Sequence, residues 1–195
     1  MNNKIFSKKI LTIAFAVLSI GFIALMALSK DFFQWTFARH QNVLSWYIRP
    51  LFIIPFCFFA FKRSGLGISI TVFLMLTSMF WFPEPAVINE QVRGFLDMEK
   101  EYLTSGWTAA KVVFALVVAG SMSLLAFAFW KRSIKLGIGI MVAIAVGKVA
   151  WSAVEGGDAG LAVVVPASVG LVLCIVLVYY FVSRSKSKAK EKTAK

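Results

Sequence analysis

"FAFKRSGLGISI" fills residues 59–70, and "FAFWKRSIKLGIGI" fills residues 127–140. The second phrase nearly repeats the first. Lys62-Arg63-Ser64 answers to Lys131-Arg132-Ser133, with one extra residue in the second copy. With Leu66 set against Leu136, Gly67, Ile68, Ile70, Val72 and Trp81 meet Gly137, Ile138, Ile140, Val142 and Trp151 without a gap. Each phrase joins two apolar runs. Ser and Gly permit a bend, Lys and Arg hold it in water, and a Trp marks the far end of the following run. That is the chemistry of a tight cytoplasmic turn between two membrane helices. Any such turn wants basic and small residues, so the case for a duplicated hairpin rests on the matched Trp spacing.

Working outward, apolar blocks lie at 10–29, 46–61, 66–82, 107–130, 134–153 and 160–183. A spanning helix needs about 20 mostly apolar residues, and in lipid every backbone polar group must be paired internally. The blocks therefore predict an all-α polytopic membrane protein with six transmembrane helices in one domain over 1–183. The second and third spans would form one hairpin and the fourth and fifth the other. The 46–61 and 66–82 blocks are short, which predicts local thinning of the bilayer or helices lengthened into the headgroups. The first block begins after lysines and ends at Ala27-Leu28-Ser29, in the manner of a signal peptide. Its apolar core is longer than the usual ~7–15 residues, so an uncleaved first helix is expected.

The formal net charge is +12. Its distribution points to membrane topology rather than nucleic acid. Lys4, Lys8 and Lys9, Lys62 and Arg63, Lys131, Arg132 and Lys135, and the run from Arg184 to Lys195 all fall on one side of a six-span chain. The positive-inside pattern makes that side cytoplasmic, with both termini on it, as in a bacterial inner-membrane protein. The acids Asp31, Glu84, Glu90, Asp97, Glu99, Glu101, Glu155 and Asp158 fall on the opposite side. The basic segment 184–195 has the composition of a disordered tail.

Two outer segments have helical stripes and are expected to lie in the interface over the bundle. Residues 31–46 carry Phe33, Phe37 and Leu44; residues 89–107 carry Val92, Phe95, Leu96, Tyr102 and Leu103. Asn89 suits the cap of the second, and Arg93 is spaced to pair with Asp97. Trp35, Trp46, Trp81, Trp107 and Trp151 mark the outer interface and Trp130 the inner.

Catalytic and metal-binding constellations are not found. There is no GxSxG, no HExxH, no CxxC and no phosphate loop. His40, the one histidine, reads as a polar residue at headgroup level, and Cys57 and Cys174 read as core packing. No cofactor or metal is expected, and an enzyme is the least favoured class. Ionisable residues near the ends of spans are the remaining candidates: Arg49, Lys111 and Lys148, facing Glu155 and Asp158 across a polar vestibule. Each cation sits about one turn inside a Trp, so snorkelling is the competing reading. Gly139, Ala143 and Gly147 form a small-residue stripe expected to admit another helix, with Lys148 beside it and Glu155 or Asp158 as its counter-ion. The function expected is a small membrane scaffold or accessory subunit. Its partners would be the lipid bilayer and another membrane protein or further copies of itself. The alternative is a transporter or channel for a small anionic solute.

Overall fold

The computed structural model describes residues 2–193, with side chains described for 5–182 and Arg184. These residues are helical throughout apart from turns and short connections. The helices are α1 (Asn2–Leu28), α2 (Lys30–His40), α3 (Leu44–Leu51), α4 (Ile53–Phe61), α5 (Gly65–Thr77), α6 (Glu90–Thr104), α7 (Ala109–Trp130), α8 (Ile134–Gly160) and α9 (Val164–Thr193). The expectation of a disordered tail falls on residues whose side chains, beyond Arg184, lie outside the described ones.

Among the described residues, four helices are long and apolar enough to cross a membrane: Ile5–Leu28, Leu44–Phe61, Ala109–Trp130 and the 49-residue run Ile134–Val182. Gly65–Phe80 is a shorter apolar helix. Leu44–Phe61 contains the break between α3 and α4, at Phe52. Proline explains it: neither Pro50 nor Pro55 has an N–H to continue the ladder. In the 49-residue run, Gly157 takes φ +51 and interrupts α8, and α8 packs against α9.

The two phrases that open the sequence form matching turns. Ser64 N–H donates to the Phe59 carbonyl at 2.9 Å and Arg63 N–H to that of Ala60 at 2.9 Å. Ser133 N–H donates to Ala128 at 2.9 Å and Arg132 N–H to Phe129 at 2.8 Å. These are paired Schellman bonds, which close a helix by turning one residue left-handed. That residue is Arg63 (φ 55) in one turn and Arg132 (φ 59) in the other. The next helix can then start tightly. A Cβ on Gly67 would lie 2.3 Å from the Phe59 ring, and one on Gly137 would lie 2.4 Å from that of Phe129. Glycine lets each hairpin close against its own phenylalanine.

Helices α4, α7, α8 and α9 surround a core built on Phe56, Cys57, Phe61, Leu125, Phe129 and Cys174. Helix α5 packs on α4, and α1 packs on α5. The two basic turns share one end of the bundle. At the opposite end α2, α3 and α6 form a cap over a second core that includes Phe33, Phe37, Trp46, Phe95 and Leu96. Phe33 and Phe37 of the 31–46 stripe and Val92, Phe95 and Leu96 of the 89–107 stripe supply that core; Leu44 and Leu103 are exposed, and Tyr102 lies outside it. Asn89 caps α6 by accepting from the N–H groups of Gln91 and Val92 at 2.9 and 3.2 Å. Arg93 pairs with Glu90 at 3.6 Å rather than with Asp97, which pairs with Lys100.

The small-residue stripe behaves differently from expectation. Gly139, Ala143 and Gly147 are all exposed, and nothing lies within 4 Å of a Cβ placed on either glycine. Close approach occurs elsewhere: a Cβ on Gly170 of α9 would stand 2.6 Å from Pro50 of α3. The proline ring occupies the space that a straight, Cβ-bearing pair of helices would fill.

Candidate functional site at the capped end

The cap contains a chain of polar groups that begins at Arg49. Its Nη1 lies 3.2 Å from Nε2 of His40. A guanidinium can only donate, so Nε2 must accept, and His40 is a neutral ring protonated on Nδ1. Nδ1 lies 2.8 Å from Ser45 Oγ, so the ring donates there and the hydroxyl passes its own proton to the Asn42 carbonyl at 2.7 Å. Trp46 Nε1 donates to the His40 carbonyl at 3.0 Å. Ring, backbone and hydroxyl thus tie the end of α2 to the start of α3. The His40 side chain sits on the α2 face that also buries Phe33, Thr36 and Phe37. Burial, and then the nearby charges of Arg49 and Lys148, hold its pKa well below the usual histidine value.

A second link joins α6 to α8. Lys148 Nζ donates to Glu99 Oε1 at 2.7 Å. The same ammonium lies 5.0 Å from the centre of Phe95 and 4.7 Å from that of Trp151. Lys148 therefore faces protein, as its place in the sequence suggests, but its partner is Glu99 instead of Glu155 or Asp158. The reason is packing. Helix α6 lies over α8 closely enough that a Cβ on Gly156 would be 3.3 Å from both Met98 and Phe95. Glu99 is thereby brought down beside Lys148. Glu155 and Asp158 are both exposed.

Lys111 does separate work. Its Nζ donates to the Tyr102 carbonyl, to Ser105 Oγ at 2.8 Å and to the Gly106 carbonyl at 3.0 Å, and it lies 4.7 Å from the Tyr102 ring centre. A cation there satisfies the unpaired carbonyls at the C-terminal end of α6. Of the five residues proposed as a vestibule, the structure brings Arg49 and Lys148 to one neighbourhood around His40; Lys111, Glu155 and Asp158 are not bonded to that pair.

Two members of the cluster are not legible as such in the sequence. His40 reads as an exposed polar residue, yet it is 4% exposed. Its signal was the spacing from Phe33 and Phe37, which puts it on their face of α2. Glu99 is 49 residues from Lys148, and no local pattern links them. Three buried side-chain atoms have no hydrogen-bond partner among the described residues: Thr36 Oγ1, Gln41 Oε1 and Ser152 Oγ. Among those residues no group of three or more His, Cys, Asp or Glu side chains is arranged to hold a metal ion.

Comparison with protein-family models, with curated proteins and with solved structures finds no match to this chain. The fold alone defines its class: an all-helical chain with helices long and apolar enough to span a membrane several times.

Proposed function

We propose that the chain is a multi-pass scaffold or accessory subunit of a bacterial inner membrane, with six spans and both termini in the cytoplasm. The six-span count is supported by length. At about 1.5 Å per residue, a straight 49-residue helix would run far beyond a hydrocarbon core about 30 Å thick, so Ile134–Val182 is better read as two spans that reverse at Gly157. Gly65–Phe80 then spans with local thinning. The matching arginine turns, each backed by a Phe–Gly contact, support two copies of one hairpin. A reporter fused after Lys195 that is active only outside the cytoplasm would overturn this topology.

The accessory role rests on one observation: each cation of the expected vestibule already serves the cap. Arg49 orients His40, Lys148 holds Glu99 and Lys111 closes α6. Charges so engaged fasten the cap to the bundle and leave less to offer a passing solute. The test is purification of the full chain in mild detergent. A stoichiometric membrane-protein partner is expected; solute flux into liposomes by the chain alone would overturn the role. Transport of a small anion is the second reading, favoured by the buried Thr36 and Ser152 hydroxyls without a hydrogen-bond partner among the described residues, one helical turn from His40 and from Lys148 respectively.

A further inference from the structure

The end opposite the cap holds Lys62, Arg63, Lys131, Arg132, Lys135 and Arg184. None of them pairs with a carboxylate among the described residues, where every ion pair lies in or beside the cap. Positive-inside topology accounts for basic residues near these turns. It does not account for their positions within them. The left-handed residue that ends a Schellman turn is usually glycine, because a Cβ there crowds the backbone. Both turns place arginine at that position. Strain repeated at matched positions suggests that the guanidinium itself is needed.

The two arginines also engage each other's turn. Arg63 Nε donates to the Trp130 carbonyl at 3.2 Å. The Arg132 guanidinium lies 5.5 Å from the ring centre of Phe61. Trp130 and Phe61 are equivalent residues, each the last helical residue of its turn. Each arginine therefore reaches the corresponding residue of the other turn, Arg63 at its carbonyl and Arg132 at its ring. Flanking them, Lys62 and Lys131 lie 5.6 and 5.5 Å over Phe58 and Phe127, their stems laid along the helix and their ammonium groups at its end. Two exposed guanidinium forks, with no carboxylate paired to them among the described residues, thus stand at the ends of α4 and α7 beside Phe58, Phe61 and Phe127.

We infer that this end is a specific site for an anionic phospholipid, its phosphate held by Arg63 and Arg132 and its acyl chains lying on the aromatic flanks of α4 and α7. Arginine suits a phosphate better than lysine because its fork donates two parallel hydrogen bonds. Charge complementarity favours a lipid phosphate over an apolar or cationic partner, and the position of the site favours the surrounding leaflet over bulk solution. The inference needs the helices to span a membrane; it does not depend on whether the protein is a scaffold or a transporter.

The test uses the full chain purified in mild detergent and offered mixed micelles of phosphatidylcholine with phosphatidylglycerol or cardiolipin, with retained lipid read by native mass spectrometry. The unmodified protein is expected to retain one anionic phospholipid, at least tenfold in preference to phosphatidylcholine. The informative variant is Arg63→Gly with Arg132→Gly. Glycine is the residue this backbone favours, so the pair should fold at least as well while retention falls at least tenfold. Arg63→Lys with Arg132→Lys keeps the charge and should still lose severalfold. Lys8→Gln with Lys9→Gln removes equal charge elsewhere and should change nothing. The inference is overturned if the glycine pair keeps its lipid, or if the Lys8 and Lys9 changes cost as much, which would mean a diffuse field. It is also overturned if millimolar inorganic phosphate displaces the lipid, or if a copurifying acidic protein rather than lipid is lost from the glycine pair.

Discussion

Lowering the pH should loosen the cap through His40, and the size of the effect follows from its surroundings. The ring accepts from Arg49 on Nε2 and donates to Ser45 on Nδ1, at 3.2 and 2.8 Å. A proton on Nε2 would abolish the first bond and set two cations against each other in a site 4% exposed. The folded protein therefore resists protonation, and burial together with Arg49 and Lys148 depresses the pKa. The unfolded chain resists nothing and binds its proton near pH 6.5. Stability from the neutral ring is thus fully present above that value and is lost as pH falls from it towards the depressed native pKa. Over that window one proton is taken up on unfolding, a slope of about 1.4 kcal/mol per pH unit. For a chain of this size that corresponds to roughly 3–6 °C in midpoint per unit. Thermal unfolding of the full chain in detergent, followed by circular dichroism at pH 8, 7, 6 and 5, reads the slope. Histidine 40 replaced by glutamine (His40→Gln) keeps a donor and an acceptor but cannot titrate, so its profile should be flatter below pH 6.5 by that amount. Parallel profiles for the two proteins would refute the tautomer and the role of Arg49.

Gly67→Ala or Gly137→Ala should destabilise by about 1–3 kcal/mol, since the added Cβ meets a phenylalanine ring at 2.3 or 2.4 Å, whereas Gly139→Ala and Gly147→Ala, with open space, should be neutral in the same melts. Lys148→Met should cost only about 1 kcal/mol, because the Lys148 side chain is 42% exposed; a double-mutant cycle with Glu99→Gln should give a coupling of similar size, and additivity would show that the pair is idle. Cys57 and Cys174, at 0% and 2% exposure, should resist maleimide in the folded protein and react fully in denaturant; prompt labelling of either would contradict the packing of α4 against α9.

Those residues also show which features a sequence can disclose. The cap helices were legible because their apolar stripes recur at helical spacing and Asn89 announces the start of α6. The basic turns were legible because lysine, arginine, serine and glycine cluster between apolar runs. Arg49 and Lys148 stood out as charges beside tryptophan, yet their partners did not. Lys148 meets Glu99 because α6 settles on α8, a tertiary event with no local trace. The small-residue stripe misled for the same reason: spacing says that Gly139 and Gly147 share a face, but which face meets a neighbour is decided by helices remote in sequence. The gap between the 134–153 and 160–183 blocks was legible from Glu155, Gly156, Gly157 and Asp158, but not that the helix carries on past 153 and is interrupted only at Gly157.

The contact between α3 and α9 sets the order in which the molecule can be assembled. Cys174 Sγ donates to the Pro50 carbonyl at 3.1 Å across 124 residues. At about 5–20 residues per second, ribosomal synthesis separates these two groups by roughly 6–25 s. Throughout that interval α3 and α4 are in the membrane without the neighbour that covers Pro50 and Cys57. Helix α1 can dock on α5 early, and α7 can reach α4 later, but the ring around Phe56 and Cys57 cannot close until α9 arrives. Chains that end before α9 therefore leave an open seam lined by Phe56, Cys57 and the Pro50 carbonyl.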